Sequence, residues 1–366
     1  MKIDQIDIYE VRMRLKVRFQ ASTHAADELR HILIRVRSGD FTGWGECSAP
    51  NDPYYLGETA DSSWHMLESF LAPAVLGKDF ADVAAFAAAY DHVKGNTFAR
   101  AGIETAAWDL FGRARGVSVA SMLGGTRKEI LSGVSLGMEP IDALCDRIAQ
   151  HVAEGYRRVK LKISPGKDAS LFDKLRPRFP DVAFMADANS TYTLADTEAL
   201  RRLDAYGLMM IEQPLAWDDL IDHAKLQKAI KTPVCLDESV KSEVQCRNAL
   251  ELESFRVLNV KAGRIGGLLE AKRVHDLCAA AGIPVWCGGM HDYGVGRAAN
   301  VALASLPGFS LPGDVSGSDK YFEEDLVEPP ILAKNGAIEV PERPGLGFDV
   351  VEERVAKRTS RTRRFG

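Results

Sequence analysis

The sequence of 366 residues lacks the cysteine patterns that mark zinc sites and disulfide frameworks. Its six cysteines include no C-x-x-C pair and show no metal-ligand spacing. It also lacks an excess of charge of one sign, since 46 Lys and Arg residues stand against 51 Asp and Glu residues. Neither nucleic acid nor a membrane surface is therefore an expected partner. We expect reduced thiols in a cytoplasmic protein.

Neither end of the chain contains a long apolar run. The first 15 residues, MKIDQIDIYEVRMRL, alternate between polar and apolar, which predicts a strand rather than a signal peptide or a membrane anchor. The last ten residues, KRTSRTRRFG, are basic and poor in apolar residues. We interpret this tail as a solvated or frayed terminus rather than as a phosphate-binding arm.

Apolar runs that suit buried parallel strands recur along the rest of the chain. They are VSLGM, RRVKLKIS, AFMADAN, LMMIEQP, TPVCLDES, RVLNVKAG, IPVWCGG and FSLPGD. Charged residues lie near the ends of five consecutive runs, at separations of 25, 25, 25 and 24 residues, namely Lys162, Asp187, Glu212, Asp237 and Lys261. Between the runs, leucines and alanines recur at three- and four-residue spacing, which is typical of helices. A strand, a loop and a helix in about 25 residues form a βα unit, and eight such units close a barrel.

The sequence therefore predicts an α/β fold with two parts. Residues 126–325 would form a modified (β/α)8 barrel of the form (β/α)7β, which carries the charged residues at the C-terminal ends of its strands. Residues 1–125 do not follow the 25-residue rhythm and predict an α+β capping domain. Residues 326–366 show strand and turn signals, and we expect them to return to the capping domain and complete it.

Three acids at one spacing indicate a metal site. Asp187, Glu212 and Asp237 lie on neighbouring predicted strands and can converge at the barrel mouth, where they would repel one another without a cation. Mg²⁺ suits such oxygen ligands, with Mn²⁺ as a substitute. Each acid could instead cap the helix that follows it. We prefer the metal site because three acids share one spacing and are flanked by lysines.

The lysines indicate acid/base chemistry. Lys160 and Lys162 are two residues apart on one strand and therefore point to the same side, and Lys261 would face them across the metal site. A lysine that acts as a base needs a pKa lowered from about 10.4 to roughly 7 or 8. A second ammonium group and burial both lower it, so Lys160 would help to keep its neighbour neutral. Glu238 would pair with a lysine or balance local charge.

One tempting motif does not predict a nucleophile. Residues 133–137, GVSLG, match the pattern G-x-S-x-G, but a catalytic serine of that kind needs a helix that starts at the serine, and here the run continues into MEP. A hydrogen bond from Ser135 to a substrate stays open.

With these residues in place, the chain resembles the muconate lactonizing enzyme subgroup of the enolase superfamily. The resemblance rests on GWGECSAP and ARAGIETAAWDLFGRARG in the first part, and on VKLKI, DAN, IEQPL, DES and NVKAGRIGG in the barrel. It implies that the three acids bind Mg²⁺ and that Lys162 and Lys261 are the acid/base pair, assisted by Lys160. The reaction would remove a proton α to a carboxylate and pass through an enediolate. The resemblance also implies a homo-oligomer, a dimer or a larger even assembly.

Within that subgroup the chain is similar to the o-succinylbenzoate synthase/N-succinylamino acid racemase family, through VKLKISPGKD, PVWCGGM, GRAANVALASLPGFSLPGD and PYYLGET. The resemblance implies substrate contacts from Ser135, Asn189, Phe19, Tyr55, Gly289, Met290 and His291. After GGM the family usually has a hydrophobic residue, Glu and a small residue, whereas this chain has HDY. We expect His291 and Tyr293 to add volume and polar groups at the far end of the pocket.

Two alternatives remain at this point. One is another activity of the subgroup, a cycloisomerase or a racemase of a different N-substituted amino acid. The other is a barrel that binds an anionic metabolite without converting it, because a fold does not fix a function.

Overall fold

The computed structural model of the chain describes the backbone of residues 1–20 and 25–366 and the side chains of residues 1–16 and 27–366. Its strands are β1 (Gln5–Gln20), β2 (Ala25–Ser38), β3 (Phe41–Cys47), β4 (Glu129–Leu131), β5 (Val134–Leu136), β6 (Arg158–Lys162), β7 (Ala183–Asp187), β8 (Ile211–Glu212), β9 (Val234–Leu236), β10 (Val257–Val260), β11 (Val285–Cys287), β12 (Val327–Glu328), β13 (Ala337–Glu339), β14 (Asp349–Val350) and β15 (Thr359–Phe365).

The α-helices are α1 (Ala60–Met66), α2 (Ala72–Val75), α3 (Val83–Ala88), α4 (Thr97–Arg115), α5 (Val119–Leu123), α6 (Ile141–Ala153), α7 (Ala169–Leu175), α8 (Thr197–Arg202), α9 (Ile221–Ala229), α10 (Glu243–Glu251), α11 (Ala262–Ile265), α12 (Leu268–Ala280), α13 (Gly294–Ala304) and α14 (Glu352–Arg358). A π-helical turn, Leu67–Leu71, joins α1 to α2, and 3-10 turns lie at Leu194–Asp196, Leu203–Tyr206 and Ser318–Lys320. Within the described part of the chain, no helix is long and apolar enough to cross a membrane.

The first part of the chain forms an antiparallel sheet with the strand order β15-β1-β2-β3. A Ser-Gly-Asp turn joins β2 to β3, and its Gly39 has a φ of 54°, in the left-handed region that favours glycine. Gly45 on β3 is needed for a different reason, because a Cβ atom there would lie 2.0 Å from the carbonyl oxygen of Gly102 in α4. The absence of a side chain lets α4 pack directly on the sheet.

The basic tail is an edge strand of this sheet, so the prediction of a frayed terminus is wrong. β15 pairs with β1 in antiparallel fashion, with Ile6 opposite Phe365. Arg364 Nε also donates a hydrogen bond of 2.7 Å to Asp7 Oδ1. The basic side chains of the strand are largely exposed, which discourages further strands from pairing at this edge. The tail thus completes the capping domain, while the boundaries at residues 125 and 325 stay a prediction.

The second sheet is parallel, with the strand order β11-β10-β9-β8-β7-β6-β5. Lys162 pairs with Asp187, and Asp187 pairs with Glu212, so the 25-residue spacing is the strand register at this point. Beyond β8 the register differs, because Glu212 pairs with Cys235 and Asp237 lies two residues further along. The spacing therefore predicts which residues reach the barrel mouth, but not the pairing across the whole sheet.

The eighth predicted run, FSLPGD, is not a regular strand. Pro312 lacks an N–H donor, which disfavours a central strand position. The segment still closes the ring through backbone hydrogen bonds on both sides, one of which runs from the N–H of Gly313 to the carbonyl oxygen of Leu131 at 2.9 Å. Gly133 donates its N–H to the carbonyl oxygen of Gly313 at 2.7 Å, and Asp314 donates its N–H to the carbonyl oxygen of Cys287 at 2.8 Å. The predicted architecture, a (β/α)7β barrel with an α+β cap, is confirmed, with its last strand reduced to this bridge.

The barrel interior holds its own small apolar cluster. Side chains that alternate along the strands point inward at this level, namely Met185, Met210, Cys235, Val257 and Trp286. Two residues after Met185, Met210 and Cys235, the chain carries the acids Asp187, Glu212 and Asp237. The apolar layer therefore lies directly below the charged residues of the barrel mouth.

Glu104 links the capping domain to the barrel. It lies on α4 and is buried, and its Oε1 accepts hydrogen bonds from the N–H of Leu269, at the start of α12, and from Trp108 Nε1. Burial disfavours the ionised carboxylate and raises the pKa of Glu104 to about 7, from an ordinary value of 4.5. The side chain is therefore easier to bury as the neutral acid.

We expect the E104Q variant to gain stability relative to the wild type as the pH rises. A carboxyl group whose pKa is raised on folding contributes stability below its unfolded pKa of 4.5, and this contribution is lost as the pH rises through about 7. The amide does not titrate. The free energy of unfolding of E104Q minus that of the wild type should therefore increase by on the order of 3 kcal/mol between about pH 4.5 and pH 8. Urea unfolding measures it, and a pH-independent difference would contradict the assignment.

Candidate active site

A cavity of about 440 Å³ lies at the C-terminal ends of the barrel strands and is lined by their inward side chains. The cap closes it from the other side, through residues 29–31 of β2 and residues 48–57 of the loop after β3. The charged side chains that line the cavity from the barrel are Lys160, Lys162, Asp187, Asp237, Glu238, Lys261, Asp292, Arg297 and Asp314. This is the end of a barrel at which active sites lie.

Lys162, at the end of β6, is held by two neighbours from β7 and the loop after it. Its Nζ atom donates hydrogen bonds to Asp187 Oδ2 at 2.7 Å and to Asn189 Oδ1 at 2.6 Å. Asn189 is able to face Lys162 because its backbone takes a left-handed conformation, with a φ of 43°, which asparagine tolerates better than most residues. The N–H of Asn189 also donates to Asp187 Oδ1 at 3.1 Å. The ammonium group is therefore fixed in the cavity.

Lys160 points to the same side of β6 but contacts more acids. Its Nζ atom lies 2.6 Å from Asp314 Oδ2, 3.2 Å from Glu212 Oε2 and 3.3 Å from Asp187 Oδ2. Burial alone would lower the pKa of Lys160, but these carboxylates outweigh burial and raise that pKa well above its ordinary value. Lys160 is therefore a permanent cation in this arrangement.

Lys261 approaches from across the barrel mouth, directly after β10. Its Nζ atom lies 2.8 Å from Asp237 Oδ2 and 3.1 Å from the hydroxyl oxygen of Tyr55. Burial lowers the pKa of Lys261, but Asp237 and neighbouring groups more than offset this and raise that pKa above its ordinary value. The lysines predicted on opposite sides of the acids thus line one cavity.

The three predicted ligand acids are buried and affect one another. Burial and the charges of Asp187 and Asp237 raise the pKa of Glu212 to about 7. Asp237 behaves in the opposite way, because Lys261 and Arg264 overcome burial and lower its pKa to about 2. Burial, together with the charge of Asp237, also raises the pKa of Glu238 well above its ordinary value. Negative charge is thus crowded around Glu212 and Glu238.

This donor set fits a divalent metal ion. Asp187, Glu212 and Asp237 supply hard oxygen ligands from three neighbouring strands, and Glu238 Oε2 is a buried acceptor without a hydrogen-bond donor among the described residues. The side chains are not already gathered around one point, because no group of three His, Cys, Asp or Glu residues in the described ranges forms a ready-made metal site. Ammonium groups engage the oxygens instead. A cation would compete with the lysines for the same carboxylates.

Most predicted substrate contacts lie on the cavity surface. Ser135, Asn189, Tyr55, Gly289, Met290 and His291 all line it. The backbone of Phe19 belongs to β1, but its side chain is outside the described residues. His291 has a φ of 59° and packs edge-on against the ring of Tyr321. Burial and the nearby cations of Lys320 and Arg297 lower the pKa of His291 to about 3, so its imidazole is neutral near pH 7.

Tyr293 does not shape the pocket, so that prediction is wrong. The side chain is fully buried between cap and barrel, where it stacks on His31 and donates hydrogen bonds to the carbonyl oxygens of Val11 and Leu29. Its N–H donates to Glu46 Oε1 at 2.8 Å. One residue, Asp292, separates His291 from Tyr293, and α13 begins directly after Tyr293, at Gly294. The two side chains face different surroundings.

Several polar residues of the site were missed by sequence reasoning. They are Arg158, Asn259, Arg264 and Asp314. Asn259 Nδ2 donates to Glu212 Oε1 at 2.7 Å, and Arg264 donates to Asp237 Oδ1. Arg158 could have been found, because it precedes Lys160 by two residues and must share its face of β6. Asp314 carried a weaker signal, since it ends the eighth run but lies outside the regular spacing.

Known proteins resemble the whole chain. The sequence model described as mandelate racemase/muconate lactonizing enzyme, N-terminal domain, matches residues 3–124, and the one described as enolase C-terminal domain-like matches residues 143–354. An o-succinylbenzoate synthase of Geobacillus kaustophilus is 47% identical, over 100% of this chain and 98% of the relative. An N-succinylamino acid racemase of Amycolatopsis sp is 43% identical over 96% of each chain. The crystal structure of an enolase superfamily member from Listeria innocua has a TM-score of 0.97 at 35% identity and covers 100% of this chain and 99% of its own.

Tyr55 ties the cap loop to the charged residues of the barrel, and we expect Y55F to loosen that loop. The hydroxyl donates to Asp237 Oδ1 at 2.9 Å and accepts from Lys261. Losing hydrogen bonds to charged groups costs roughly 1.5 to 3 kcal/mol each, so amide hydrogen exchange across residues 54–57 should accelerate about tenfold or more. Y54F is the matched control, because Tyr54 is 63% exposed. Equal exchange in the two variants would contradict the tie.

Proposed function

Because the chain belongs to the mandelate racemase/muconate lactonizing enzyme family of the enolase superfamily, as its resemblance predicted, we propose that it is an enzyme that removes a proton α to a carboxylate. The observation that carries this proposal is the pair of lysines on opposite sides of one set of acids. Lys162 lies at the end of β6 and Lys261 directly after β10, with three strands between them, and both line the same cavity. A substrate between them would present one face to each lysine.

In the proposed reaction, Lys162 Nζ takes the α-proton and an enediolate results. Asp187 and Asn189 hold that nitrogen in position before and after the transfer. In a racemisation, Lys261 returns a proton on the opposite face. In a dehydration, Lys162 passes the proton that it has taken to the departing hydroxyl group, which leaves as water, and Lys261 stays an ammonium group that faces the developing negative charge. Tyr55 and the cap loop exclude water from the reacting atoms.

Asp187, Glu212 and Asp237 would hold the metal, for which we propose Mg²⁺, with Mn²⁺ as a substitute. When bound, such a cation offsets negative charge that develops on the substrate carboxylate. Residues that are not metal ligands themselves orient these acids. Asn259 directs one oxygen of Glu212, and Gln213 Oε1 accepts the N–H of Asp237 at 3.0 Å.

For the substrate, we propose the reactions for which the relatives are named. These are the dehydration that yields o-succinylbenzoate and the racemisation of N-succinylamino or other N-acylamino acids. Identity of 43–47% over nearly the full chain supports both. His291 is the departure that lines the pocket, and it places a neutral imidazole where the family usually has a hydrophobic side chain. No specific observation favours a cycloisomerase or a non-catalytic binding protein.

We also propose a homo-oligomer, a dimer or a larger even assembly, located in the cytoplasm. Support comes from the family resemblance and from the general preference of soluble enzymes for closed symmetric assemblies.

The lysine assignment predicts which variants lose proton transfer. In D₂O, the wild type should convert the cyclohexadiene precursor of o-succinylbenzoate and exchange the α-proton of N-succinylamino acids. K162A should lose the dehydration by about a thousandfold or more, since a general base has been removed. K261A should lose racemisation but retain exchange of one enantiomer. K225A, which changes an exposed lysine on α9, is the control. Unchanged exchange of both enantiomers in K162A would disprove the assignment.

The ligand assignment predicts how metal affinity changes. Mn²⁺ binding to the metal-free protein, followed by calorimetry, should weaken about a hundredfold or more in E212Q. N259A keeps all three acids but removes a donor that orients Glu212, so its affinity should fall about 10- to 100-fold. Treatment with EDTA should abolish turnover, and Mg²⁺ should restore it. Equal Mn²⁺ affinity in the wild type and E212Q would show that the acids are not the ligands.

A further inference from the structure

We propose that Asp314 is a positioning residue that keeps Lys160 away from the place of Lys162. The inference rests on the proposed function, because it concerns the lysine to which proton removal is assigned. Asp314 ends the irregular segment that closes the barrel, and neither the predicted metal ligands nor the predicted acid/base pair include it.

The two lysines of β6 compete for one oxygen atom. Lys162 Nζ lies 2.7 Å from Asp187 Oδ2, and Lys160 Nζ lies 3.3 Å from the same atom. The side chains leave the same face of the strand two residues apart, so either ammonium group can approach this carboxylate. Lys162 makes the shorter contact because Lys160 is drawn elsewhere, and its shortest ion pair is the one of 2.6 Å to Asp314 Oδ2.

Asp314 is itself firmly placed. Its N–H is bonded to the carbonyl oxygen of Cys287, and its Oδ1 accepts a hydrogen bond of 2.7 Å from Arg158. Arg158 is 1% exposed and also donates to the carbonyl oxygen of Pro312. Arg158 and Lys160 both lie over the ring of Trp286, at 5.0 and 5.2 Å from its centroid. One carboxylate thus bridges two stacked cations, with one oxygen for each.

This arrangement argues against two other roles for Asp314. Both of its oxygens are already engaged by protein cations, so it does not offer a free carboxylate to an ammonium group of a substrate. It also lies outside the proposed metal ligands, so its contact with Lys160 does not depend on where Asp187 and Glu212 point. The competing explanation is that Asp314 only balances the buried charge of Arg158.

The test uses exchange of each enantiomer of an N-succinylamino acid in D₂O, since the two lysines serve opposite faces. K261A identifies the enantiomer that Lys162 deprotonates. In D314N, exchange of that enantiomer should slow at least tenfold, while exchange of the other should slow less than threefold. A merely structural loss would slow both equally. R158M keeps the pair of Asp314 and Lys160 and should show the wild-type ratio between the two enantiomers.

The double variant R158M/D314N separates the two explanations. It also serves as a control if D314N misfolds, because it removes a buried cation together with its acid and leaves neither charge unpaired. The same unequal loss in the double variant supports positioning of Lys160. A wild-type ratio in the double variant, or an equal loss in D314N, would overturn the inference and leave Asp314 as a counter-charge. If the wild type exchanges neither enantiomer, the proposed function fails and the inference falls with it.

Discussion

Burial of several like charges at one end of a barrel is the constraint on which the rest of the site depends. Lys160, Lys162 and Lys261 are each less than 10% exposed, and an unpaired buried ion would cost several kcal/mol. Each ammonium group must therefore meet a carboxylate with good geometry. The register of β6 to β8 places Asp187 and Glu212 in reach, the closing segment supplies Asp314 to Lys160, and the cap loop supplies Tyr55 to Lys261. Strand pairing, the closing segment and the cap loop thus together give each buried charge a partner.

The features that could be predicted from the sequence are those that repeat at a regular spacing along the chain. The spacing from Lys162 to Glu212 is the true register, because consecutive βα units there have the same length. Pairing between distant segments produces no such regular spacing in the sequence. Phe365 pairs with Ile6, and only the folded chain brings them together, so a basic tail was taken for a frayed end. The prediction of a regular strand for the eighth run was wrong. Its length and apolar character suggest a strand, whereas Pro312 lacks a donor and the few backbone hydrogen bonds on both sides form only a bridge.

Prediction of the site residues was limited by side-chain direction rather than by residue type. Alternation along a strand settles direction, and the paired lysines of β6 were recognised in this way. Applied two residues earlier, the same rule would have included Arg158. After a strand ends there is no such rule. The backbone of His291 takes a positive φ, and the chain then enters α13, which sends Tyr293 under the cap and not into the pocket. The residue types alone could not show that the side chains of His291 and Tyr293 point in different directions.

The contacts between cap and barrel explain how one chemistry can serve different substrates. The lysines and acids are placed by strand pairing and by one another, so loops can change without moving them. The segment that carries His291 rests on the cap, because Glu46 accepts hydrogen bonds from the N–H groups of Tyr293 and Gly296 at the start of α13. A pocket substitution at position 291 leaves these bonds intact, whereas one at Tyr293 removes part of the packing between the two domains. Specificity is therefore free to vary at the first position and is tied to stability at the second.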